Sequence, residues 1–127
     1  MTVAPDRDRG GEHSVVDGPC PFLVVDLCMQ AWPDAAFAVA HRHGITAYGV
    51  TAFDPHDTFD QAVERLMYWH LVGRRYPNLD VAVSVGEVRR AREAGRAALL
   101  LFSQGGDFIA GRLHRIEVMH RLGLRVM

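Results

Sequence analysis

From Pro21 onward, short apolar runs alternate with stretches whose apolar residues recur every three or four positions. Phe22-Leu-Val-Val-Asp-Leu-Cys28 has strand length and near-continuous apolar character, as a strand covered on both faces requires. Pro33 suits the first turn of a helix running through Ala35–Ala40, and Gly44 suits its stop. Ala47–Phe53 reads as a second strand. Asp57 or Thr58 then caps a helix carrying Phe59, Ala62, Val63, Leu66, Met67, Trp69, His70 and Leu71, spaced mainly three and four apart. Pro77 and Asn78 end it. Val81–Ser84 is a short strand, and Glu87 stands three residues after Ser84, the spacing of a capping box. That helix continues through Ala94 and stops at Gly95. Ala97–Phe102 is the most hydrophobic strand. Ile109–Leu122 forms the last helix, with Leu113, Ile116, Val118, Met119 and Leu122 largely on one side and Gly123 as its stop. Leu124–Met127 begins a fifth strand, where the sequence ends.

Strand–helix alternation with short links predicts an α/β fold with a parallel sheet and right-handed crossovers. Four βα repeats and one further strand fit two architectures. One is half of a (β/α)8 TIM-type barrel; the other is a small open doubly wound sheet. Strand order separates them, since a reversal between the first and third strands marks the open sheet. A whole barrel takes about 250 residues, and this chain has 127. Residues 1–19 mix Asp, Arg, Gly and Pro without periodicity and read as a flexible lead-in. Residues 20–127 read as the barrel segment, about half of a barrel in length.

Composition removes several classes of function. An apolar share of 49% excludes disorder of the whole chain. A net charge of −1 supplies no basic footprint for nucleic acid. All 14 basic residues are Arg, so Schiff-base chemistry and a phosphate-loop lysine are both excluded. Runs such as Ala97–Phe102 fall far short of the ~20 apolar residues that span a membrane. The polar start carries no secretory hydrophobic segment, which makes the cytoplasm the expected location. Cys20 and Cys28 match neither a disulfide framework nor a zinc-finger spacing.

Candidate chemistry gathers at the strand carboxyl ends, where both architectures place ligands. Asp26, Cys28 and Gln30 follow the first strand; Thr51, Asp54 and His56 follow the second. The third ends at Ser84 and the fourth at Ser103-Gln-Gly-Gly-Asp107. Gly105 and Gly106 either admit a close backbone approach or simply make the turn. Gln104 either binds a ligand through its amide or is a satisfied strand-end group. Seven histidines invite a metal reading. His41 and His43 lie two apart near a helix end, and His114 and His120 six apart, so neither pair shares one helical face. His70 reads as half-buried packing and His56 as an exposed turn residue after Asp54-Pro55.

Several stretches, in order, resemble the amino-terminal half of the membrane (renal) dipeptidase family of metallo-dependent hydrolases. Val24-Val-Asp26 with Cys28 and Gln30 resembles its opening Asp-Gly-His-x-Asp strand. Gly44–Thr51 resembles its second strand, and Pro77–Asp80 with Val85–Gly95 the region leading to its fourth strand. Ser103–Asp107, then His114–Leu122 and Gly123–Met127, resembles Glu-Gly-Gly-His and the helix with its Leu-Gly-x-Arg ending. The resemblance implies a barrel that holds two zinc ions at its strand ends and hydrolyses dipeptides. It places the metal positions on Cys28, Gln30 and Gln104, and the final His of Glu-Gly-Gly-His on Asp107.

Those replacements remove the chemistry. A carboxylate bridging two zinc ions supplies negative charge that the Gln104 amide lacks. Without the metal pair, no hydroxide forms near neutral pH. A dipeptidase-like segment without hydrolytic activity of its own is therefore expected. Asp26, Asp54, Gln104 and Asp107 are its candidate contacts to a small peptide-like ligand. The alternative is a non-catalytic module that assembles with a second copy or a complementary half-barrel chain, because open edges of hydrophobic strands promote association.

Overall fold

The computed structural model describes residues 22–29 and 42–127. The expected lead-in over 1–19, the helix through Ala35–Ala40, and Cys20, Gln30 and His41 lie outside the described residues. Among the described residues, five strands and three α-helices follow in order. They are β1 (Val25–Met29), β2 (Ala47–Thr51), α1 (Phe59–Arg75), β3 (Leu79–Val81), α2 (Val85–Glu93), β4 (Ala97–Phe102), α3 (His114–Arg121) and β5 (Leu124–Val126). A 3-10 turn, Asp107–Ile109, lies between β4 and α3.

Every strand pairing is parallel: β1 with β2, and β4 with each of β2, β3 and β5. Hydrogen bonds explain how β4 serves three partners. Its even positions face β2: Ala98 N–H donates to Thr46 and Ala52 N–H to Phe102. Its odd positions face the other edge, where Ala97 donates to Asn78, Leu99 accepts from Ala82, and Ser103 donates to Val126. β3 thus occupies the amino-terminal half of that edge and β5 the carboxyl-terminal half. With β3 set aside as this short supplement, β1, β2, β4 and β5 run in sequence order. The sheet is curled and carries alternating helices, half of a TIM-type barrel. The open doubly wound alternative needs β1 inside the sheet, whereas β1 pairs only with β2 among the described strands.

Alternation along the strands sends their two faces into different layers. Tyr48, Val50, Leu79, Leu99, Leu101 and Leu124 pack with Ala62, Leu66, Trp69 and Val72 of α1. Phe53, Phe108 and Met119 complete this larger core. On the opposite face, Ala47, Ala82 and Ala98 meet Val88 and Ala91 of α2. Small residues on both sides of that contact suit close packing of the helix. Among the described residues, no helix is long and apolar enough to cross a membrane.

Local chemistry accounts for most element ends. Thr58, not Asp57, caps α1: its hydroxyl accepts from Gln61 N–H while the Gln61 side chain accepts from Thr58 N–H. Asp57 is instead buried, accepting from Asp54 N–H at 2.9 Å and pairing with Arg65 at 3.1 Å. Ser84 caps α2, but the reciprocal half of the expected box is displaced. Glu87 reaches past Ser84 to Val83 N–H at 2.6 Å. β3 lies two residues earlier than expected, because Val83 is already committed to this cap. β1 starts at Val25 rather than Phe22, and β2 ends at Thr51 rather than Phe53.

The last helix departs most from expectation. It starts at His114, since Ala110 (φ 46°) and Gly111 (φ 71°) adopt left-handed conformations that no helix continues through. Phe108 on the preceding turn is buried edge-on against Phe53, with centroids 5.3 Å apart. Leu113 is consequently left 74% exposed, and of the five expected inward residues only Met119 is fully buried.

Candidate functional site

Three segments meet at the carboxyl end of the sheet: the end of β1, the link from β2 to α1, and the link from β4 to the 3-10 turn. The ends of β1 and β2 depend on Gly49. A Cβ there would lie 2.5 Å from the Leu27 carbonyl oxygen, because the β1–β2 register shifts between Asp26 and Met29. Asp26 spans that irregularity, accepting from Cys28 N–H at 3.0 Å. Beneath it, burial and the Asp26 charge push the Tyr48 hydroxyl up to about 12.

The other two segments touch. A Cβ on Gly105 would stand 2.6 Å from Pro55 Cβ, so the close approach that Gly105 admits is to the neighbouring link. Gly106, at φ −122°, needs no special freedom. Buried Ser103 braces the turn, donating to the Gly105 carbonyl at 2.6 Å and accepting from Gly105 N–H at 3.3 Å.

This packing brings two side-chain pairs to the strand ends. Gln104 directs its amide N–H at Cys28 Sγ, 3.6 Å away. His56 Nδ1 lies 3.0 Å from Asp107 Oδ2. The hydrogen bond to Asp107 raises the His56 pKa above its ordinary value, helped by the charges of Asp107 and Asp54. Both partners stay open to solvent, at 84% and 65% side-chain exposure, so the pair tunes protonation more than it stabilises the fold.

The candidate residues therefore divide. Gln104, Asp107 and Cys28 present polar groups at the strand ends, while Asp26 and Asp54 each hold a backbone N–H two residues on. His56, expected as a simple turn residue, is the partner of Asp107. Their separation of 51 positions leaves no local signal for that pairing. His70 is part-buried as expected, with Nε2 2.7 Å from the Leu122 carbonyl oxygen.

The described donor set does not fit a zinc pair. Among the described residues, no three of His, Cys, Asp and Glu converge on one point. The Gln104 N–H faces the thiol, and the Asp107 carboxylate is engaged by His56. Amide, thiol, imidazole and carboxylate together form a rim that donates and accepts hydrogen bonds.

The sequence matches no family model and no curated protein. Its fold is similar to that of a solved amidohydrolase from Pseudomonas aeruginosa, with a TM-score of 0.75 and 22% identity. The match covers 82% of this chain and 33% of the amidohydrolase, so the chain spans about a third of that protein's length. At this identity the likeness establishes a shared fold.

Proposed function

We propose that this chain is a dipeptidase-like, hydrolase-related half barrel. Its strand-end site binds a small peptide-like ligand by hydrogen bonds and does not perform zinc-dependent hydrolysis. The observation carrying this reading is the Gln104–Cys28 contact at two positions where the resembled family has metal ligands. A neutral amide donating to a thiol leaves no bridging carboxylate to hold two cations. The same groups suit a dipeptide: the Gln104 carbonyl and the Asp107 carboxylate accept from ammonium or amide N–H groups, and protonated His56 faces a carboxylate.

Activity and binding test the two halves separately. A panel of dipeptides incubated with the protein and added zinc is expected to give no turnover above buffer. Zinc-dependent turnover abolished by Gln104→Ala overturns the non-hydrolytic half. The same dipeptides are expected to shift the NMR resonances of the Gln104 side-chain amide and the His56 ring saturably. Their absence at millimolar ligand overturns the binding half.

A second reading, assembly with another copy or with a complementary half-barrel chain, draws on exposed apolar residues of the outer strands. Leu27 of β1 is 58% exposed, and Val25 of β1 and Val126 of β5 are also exposed. Light scattering is expected to give a mass above that of one chain, and a compact monomer at high micromolar concentration sinks this reading.

A further inference from the structure

The amino-terminal end of the sheet, opposite Cys28 and Gln104, holds a cavity of about 360 Å3 between the last turn of α1 and the start of β3. Sites for small organic ligands span about 300–1,000 Å3, so this one has room for a compact molecule. His70, Arg74 and Tyr76 line it from α1 and its cap, Leu79 and Asp80 from β3, and Arg96 from the turn before β4.

Charge decides which ligand it suits. Arg96 Nη2 lies 2.7 Å from Asp80 Oδ2, so those two charges largely cancel. Arg74 has no acidic partner among the described residues. The carbonyl end of α1 opposes an anion with roughly half a negative charge. Arg74 alone outweighs that, and Arg75 follows it in the same turn. One further group favours an acceptor-rich ligand: the Arg96 Nε–H is buried without a hydrogen-bond partner. The His70 ring, which donates from Nε2 to the Leu122 carbonyl, forms part of the cavity wall. Tyr76 and Leu79 supply apolar wall.

We propose that this cavity binds a small organic anion, one carboxylate or phosphate on a compact aromatic or apolar body. Arg74 and Arg96 hold its oxygens. Guanidinium groups match the planar oxygen pair of a carboxylate and two oxygens of a phosphate equally well, so both sources share one recognition chemistry. This site is independent of the strand-end reading.

Titration with benzoate, phenyl phosphate and uncharged phenol at constant ionic strength, followed by NMR, tests the proposal. At least one of the two anions is expected to shift the His70 and Tyr76 rings saturably, with phenol binding at least tenfold more weakly. Which anion binds identifies the acidic group. Arg74→Gln, a change at an exposed position, is expected to lower the affinity about tenfold without altering the urea unfolding midpoint. Asp80→Asn, which frees Arg96 Nη2, is expected to raise it severalfold. Equal affinity for phenol, unchanged affinity in Arg74→Gln, or no saturable shift at His70 and Tyr76 overturns the proposal.

Discussion

At Gly49 a single hydrogen in place of a methyl group lets the Leu27 backbone cross β2 and deliver Cys28 to the strand ends. Gly49→Ala forces a Cβ against a carbonyl oxygen that cannot rotate away. The expected loss is about 1–3 kcal/mol, the usual range for overpacking, measured as a lowered urea midpoint at unchanged slope. A second residue-scale prediction concerns His56. Its pKa is raised in the folded chain, so protonated His56 is favoured by folding. The Asp107 contact is complete below the ordinary imidazole value of 6.5 and is lost as pH climbs through the raised value. An NMR titration is expected to place the His56 midpoint above 6.5. In Asp107→Asn that midpoint falls, because the partner charge is gone while the weaker Asp54 charge remains. An unchanged midpoint would mean that the pair does not form in solution.

Helix starts are decided within four residues, and for α1 and α2 sequence and structure agree closely. Thr58 and Gln61 satisfy each other's backbone N–H groups, so Thr58→Ala removes one arm of the box. A cost of about 1 kcal/mol is expected from typical N-cap losses, read from thermal unfolding. Ser84 and Glu87 carry similar letters, yet the carboxylate bonds Val83 instead, in the two-residue link between β3 and the cap. The last helix was less legible. Its periodic apolar residues extend from Ile109, but Ala110 and Gly111 turn left-handed so that Phe108 can bury against Phe53. Tertiary burial of one aromatic ring outweighed one turn of helical pattern.

For the whole molecule, β4 is the organising strand, paired on one edge with β2 and on the other with β3 and then β5. Leu101 sits at that junction, fully buried within the larger core. Leu101→Ala is expected to cost about 2–5 kcal/mol, as cavity-forming substitutions do. If one core unites the molecule, near- and far-ultraviolet circular dichroism should lose signal at a single shared urea midpoint. Separate midpoints would show that the α1 and α2 layers unfold independently.

Periodicity, cap letters and breakers were enough to predict the order and type of the described strands and helices and a parallel sheet, because those signals act over a few residues. The choice of half barrel over open sheet came from strand order, which depends on contacts between distant segments. Gln104 and Asp107 were legible as strand-end chemistry from the turn that carries them. Their partners were not. Cys28 stands 76 positions from Gln104, and His56 stands 51 from Asp107. Only the curl of the sheet and the contact of Gly105 with Pro55 bring those groups together. Sequence by itself determined which residues stand at strand ends; tertiary structure decided which of them meet, since no local interaction links positions so far apart.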